Sequence, residues 1–163
     1  MNTVFFTGHR DYTFNFEESN RAVRLIAELV VKNEVLDFYA GGAQGWDMRF
    51  ENMVLNIRDT FFSDVKLHLV LPCPPDEQTA NWDIDDKDEY QRILEAADSV
   101  EIVSPHYDKS CMKKRNQRLA ELGDVCVCYY NEKRTRSGTG QTVRMAEKMG
   151  KEIINIYVER TES

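Results

Sequence analysis

The stretch Val125-Cys126-Val127-Cys128-Tyr129-Tyr130 is apolar at every position. An extended segment of this kind has no face fit for water, and the run Leu67-His68-Leu69-Val70-Leu71 reads the same way. Strands buried on both faces belong to parallel sheets covered by helices on either side. The rest of the chain supplies the helices. Ala22, Leu25, Ile26, Leu29 and Val30 form one helical stripe; Trp46, Phe50, Met53, Val54 and Ile57 form a second; Tyr90, Ile93, Leu94 and Ala97 form a third. The pattern predicts strands at 3–7, 35–40, 65–71, 99–103, 124–130 and 152–158. Helices are expected at 16–32, 46–60, 87–97, 111–121 with Ser110 as its cap, and 140–149 closed by Gly150. A Pro-rich, acidic loop at 72–85 interrupts them, with Trp82 as a core or lid-packing residue. The expected fold class is α/β: a single doubly wound, Rossmann-like, mostly parallel sheet with helices on both faces. One domain would span 1–163.

Charge and composition narrow the partners. Acidic residues outnumber basic ones 28 to 21, giving a net charge of −7 over 163 residues. Binding to long nucleic acids, which relies on many phosphate contacts from Lys and Arg, is not expected. No apolar run is long enough for a membrane span, and no signal peptide is visible, so the expected location is cytoplasmic. Cys73, Cys111, Cys126 and Cys128 form no C-x-x-C pair and read as small buried hydrophobes. No metal site is expected.

In open α/β sheets the ligand lies beyond the carboxyl ends of the strands. There the sequence places Thr7-Gly8-His9-Arg10, then Gly41-Gly42-Ala43-Gln44-Gly45-Trp46-Asp47, then Arg115 and Asn116, then a run from Arg134 through Ser137, Gly138 and Thr139 to Thr142. Glycines let backbone N–H groups approach an anion, a helix N-terminus adds free donors, and Arg10 or Arg115 can pair with phosphate oxygens. His9 is either a ligand contact or a cap. The glycine pattern is neither the dinucleotide fingerprint nor a P-loop.

These segments together resemble the YpsA-like family of the SLOG superfamily, Rossmann-like proteins related to the lonely-guy enzymes and to DprA. The carriers are "TGHR", "GGAQGWD", "PCPPDEQTANW", "CMKKRNQRLAELGD" and "SGTGQTVRMAEKMGK". The resemblance implies a pocket for a nucleotide or nucleotide-derived ligand, with Thr7, Gly8, His9, Arg10, Gly41, Gly42, Ala43, Gly45, Asp47, Arg115, Asn116, Ser137, Gly138, Thr139 and Thr142 as its binding residues. Lonely-guy enzymes cleave N-glycosidic bonds with a glutamate in P-G-G-x-G-T-x-x-E, and here Thr142 falls about where that glutamate would be.

The expected function is therefore binding or sensing of a phosphorylated small molecule, nucleotide or ADP-ribose-like, without turnover. No cofactor is called for beyond that ligand. A nucleotide phosphoribohydrolase is the alternative, with Asp47 and, one turn on, Glu51 as catalytic candidates. A protein-interaction module, contacting partners through the acidic segment 76–89, is a third reading. Pairing of two copies through the stripe at 46–57 stays open.

Overall fold

In the computed structural model, which describes residues 2–159, the two-sided apolar runs form the middle of a six-stranded sheet. The strands are β1 (Val4–Gly8), β2 (Asp37–Ala40), β3 (Lys66–Leu71), β4 (Ser99–Ile102), β5 (Val125–Tyr129) and β6 (Glu152–Asn155). Every pairing is parallel, and the order across the sheet is β4-β3-β2-β1-β5-β6. The chain lays down β1 to β4 in one direction, then returns past β1 to place β5 and β6 on its other side. The order reverses between β1 and β5, the position at which doubly wound sheets open a crevice.

Six helices connect the strands: α1 (Phe16–Asn33), α2 (Trp46–Thr60), α3 (Pro75–Gln78), α4 (Ile84–Ala96), α5 (Cys111–Leu122) and α6 (Gly138–Lys148). Helices α1, α2 and α4 cover one face, where Phe6, Phe38, Phe50 and Leu69 pack into the larger core. Helices α5 and α6 cover the other through Leu119, Ala120, Val143 and Ala146, over Phe5, Val70, Cys126 and Cys128. All four cysteines are buried and free. The stripe on α2 is absorbed inside the chain, with Trp46, Phe50 and Val54 in the core.

Local chemistry sets the helix starts. Asn15 Oδ1 accepts from Glu18 N at 3.1 Å, Asp83 Oδ1 from Asp86 N at 2.9 Å, and Ser137 Oγ from Gly140 N at 2.9 Å. Three expectations need correction. The segment 72–85 is not all loop: Pro74 and Pro75 start the short α3, and the Asp83 cap starts α4 at Ile84 rather than Lys87. Ser110 makes no capping bond, because its hydroxyl bonds the Asp108 carboxylate at 2.9 Å. The last strand also stops earlier than expected, at Asn155. Trp82 packs edge-on against Tyr90, 5.3 Å between ring centres. Among the described residues, no helix is long and apolar enough to cross a membrane.

Candidate functional site

A cavity of about 360 Å³ opens at the crevice between the β1 and β5 loops. Eleven of the expected binding residues line it: Thr7, Gly8, His9, Arg10, Ala43, Asp47, Arg115, Asn116, Ser137, Gly138 and Thr139. Their convergence follows from the topology. The β1 loop brings Arg10, the α2 start brings Asp47, the inner face of α5 brings Arg115 and Asn116, and the α6 N-terminus brings Gly138 and Thr139. Arg134, from the loop after β5, joins the lining and donates to the Asp11 carbonyl at 3.2 Å. The sequence places Arg134 at this edge of the sheet, but it is not among the binding residues that the resemblance implies. Its signal was position alone, directly after a central strand.

Gly41, Gly42, Gly45, Glu51 and Thr142 do not line the cavity. The Gly41-Gly42 pair lies below it, and the donors of this turn are already engaged. Gly42 N–H donates to Glu51 Oε2 at 3.0 Å, and Ala43 N–H to Asp47 Oδ2 at 3.3 Å. Arg115 Nη1 donates to the Gly41 carbonyl, and Gln78 Nε2 to the Gly42 carbonyl at 3.3 Å. Gln78 is in turn held by the Tyr90 hydroxyl at 2.9 Å. Two buried carboxylates thus satisfy the N–H groups that the glycines were expected to offer an anion. A Cβ at Gly41 would meet the Arg115 guanidinium, so a larger residue there would have to displace that side chain. Gly45, at φ +80°, runs against the Arg10 backbone, which leaves no room for a side chain. Thr142 is wholly buried and donates to the Gly138 carbonyl at 2.9 Å, bracing the first turn of α6.

The charges below the cavity shape one another. Burial pushes the Asp47 carboxyl up to about 6, against the pull of the Arg115 guanidinium. Burial, with Asp47 beside it, pushes Glu51 well above the ordinary carboxylate range. Burial also lowers Arg115, although Asp47 and Glu51 favour its charge. Arg115 Nε donates to Asn116 Oδ1 at 2.8 Å. Arg10, by contrast, is exposed at the cavity mouth.

His9 has a definite structural part. The Asn131 N–H donates to His9 Nε2 at 2.9 Å, so that nitrogen carries a lone pair and the ring is neutral. Burial, with the Arg134 charge nearby, lowers its pKa to about 4. The His9 backbone bonds Tyr129 O at 3.3 Å and Trp46 N at 3.2 Å. It ties three segments together: the β1 loop, the α2 start and the loop after β5.

The YpsA profile, described as the YspA SLOG family, matches residues 4–161. The chain belongs to the YspA SLOG family. A solved structure of similar fold is DNA processing protein A from Helicobacter pylori, described for its single-stranded DNA binding mode. The TM-score is 0.63 at 20% identity, over 93% of this chain and 63% of that one, so this chain spans under two thirds of its neighbour. A search of the curated proteins gave no match. Family membership and the all-parallel Rossmann-like sheet agree with what the sequence motifs implied.

Proposed function

We propose that this SLOG domain binds a nucleotide or nucleotide-derived phosphorylated small molecule in the crevice between β1 and β5, and acts as a sensor rather than a catalyst. One observation carries the reading: Arg10, Arg134 and the α6 N-terminus converge on a single cavity of about 360 Å³. Two guanidinium groups and the N–H groups of a helix start suit an anion with several acceptor oxygens. The volume falls in the small-ligand range of roughly 300–1,000 Å³. The catalytic alternative has one point in its favour, which is that Asp47 lines the cavity with its carboxyl pushed up to about 6, near the working range of a general acid or base.

The test is a thermal-shift titration with mononucleotides, dinucleotides, ADP-ribose derivatives and a single-stranded oligodeoxynucleotide. At 100 times its dissociation constant a ligand stabilises the fold by about 2.7 kcal/mol. Binding that Arg10→Ala weakens, with no base release detected by chromatography, is the expected result. No response from any phosphorylated ligand overturns the reading. Base release that Asp47→Ala abolishes replaces it with hydrolysis. A response to the oligonucleotide alone moves the chain towards the ligand named for its structural neighbour, against the −7 net charge.

A further inference from the structure

Five long helices leave part of a six-stranded sheet bare. Helices α5 and α6 cover their face over β1, β5 and β6, and α5 also packs on β2 and on β3 at Val70, while all of β4 is exposed. On the uncovered strip, near the strand ends opposite the crevice, three side chains from three adjacent strands line up. His68 Nε2 lies 2.8 Å from Asp37 Oδ1, and His68 Nδ1 lies 2.6 Å from Ser99 Oγ. The register sets this alignment, since His68 is the direct partner of Ser99 and of Tyr39, two residues beyond Asp37. Tyr39 stacks on the imidazole, 4.8 Å between ring centres and 26° between planes, which fixes the ring orientation.

The chemistry of the three groups assigns the protons. A carboxylate accepts only, so His68 Nε2 carries the hydrogen and Nδ1 presents its lone pair to the Ser99 hydroxyl. A hydroxyl within reach of a base, with that base held by a third group, is the signature of an activated nucleophile. Ser99 is exposed, so a reagent can reach it. One backbone donor for a developing oxyanion follows from the strand geometry. The N–H of Asp98 points inward to Leu67 O at 2.8 Å, so strand alternation turns that of Ser99 towards the open edge. A cleft of about 430 Å³, bounded by Glu101, Val103, Lys114 and Arg118, continues along the same strand.

We propose that Ser99 is a covalent acceptor site for small acyl groups from activated esters, with His68 as its general base and Asp37 as the residue that positions His68. Ser99 Oγ bonds to the acyl carbon as its proton passes to His68 Nδ1. The ester C–O bond then breaks, and the leaving alcohol or phenol departs with that proton. Water reverses the sequence: it attacks the acyl carbon, gives its proton to His68, and Ser99 regains a proton as the acyl group leaves as the acid. The site is independent of the crevice ligand.

The test treats the whole chain with p-nitrophenyl acetate and maps acetylation by peptide mass spectrometry over time, with exposed Ser63 as internal comparison. Ser99 is expected to acetylate at least tenfold faster than Ser63. Its rate should rise with pH and then level off, as it does when a base on the protein, rather than hydroxide, takes the proton. His68→Gln should slow it by about 100-fold. Asp37→Asn should change the pH at which the rate levels off. If His68→Gln fails to fold, the pH profile of the unaltered chain decides alone. No faster labelling at Ser99, or a rate that climbs with hydroxide without a plateau, overturns the proposal.

Discussion

At the scale of single residues, the buried charges beneath the cavity make the strongest statements. Arg115 is the cation facing both Asp47 and Glu51. Arg115→Met leaves two buried carboxyl groups without it, and should cost about 3–5 kcal/mol in urea unfolding. Arg10 sits in solvent, so Arg10→Ala should leave the urea midpoint unchanged while weakening the phosphorylated ligand at least tenfold by calorimetry. The same cluster sets a pH response. A carboxyl pushed from 3.8 up to about 6 stabilises the fold in acid, and that contribution is lost as pH rises through 6. A histidine lowered from 6.5 to about 4 acts oppositely, since the unfolded chain takes up a proton first as pH falls from 6.5 towards 4. The two offset each other in one window. Asp47→Asn removes one side, so acidification from pH 6.5 to 4 should destabilise this variant more steeply than the parent, by on the order of 2 kcal/mol. An unchanged slope in urea midpoints at those pH values would contradict the burial assigned to Asp47. Which glycine turn meets the ligand was not legible in the sequence. Gly41-Gly42 reads as an anion cradle until Glu51, nine positions on, is seen to hold its N–H group.

Among the elements, α6 joins stability to binding most directly. Ser137 caps it, and the two following residues line the cavity. Ser137→Ala should cost about 1 kcal/mol. Ser137→Asp keeps a capping oxygen but adds a negative charge at the cavity. It should hold the melting temperature near that of the parent yet lose most ligand affinity, which calorimetry and thermal unfolding together can separate. The helices and central strands were legible because their signals are local: a stripe, a cap, an apolar run. The start of α2 at Trp46 was read to the residue. The start of α4 was missed by three residues because Asp83 competes with several nearby acidic residues for the capping role. Arg134 was missed as a lining residue because its approach to Asp11 spans 123 positions, and no local pattern carries that information.

For the molecule as a whole, the strand order decides where function can sit. The reversal between β1 and β5 opens the crevice, and the ends of the sheet remain for other uses. A ligand seated there touches loops from both halves, so its binding should raise the melting temperature by about 5–10 °C at saturation. The order also bears on how the chain is made. Strand β1 carries Phe5 and Phe6 and lies between β2 and β5, yet β5 begins at Val125. At roughly 5–20 residues per second, a ribosome delivers β5 about 6–24 s after β1. Through that interval one edge of an apolar strand has no partner, so the segment Val4–Gly8 is the stretch most in need of shielding until β5 has been made.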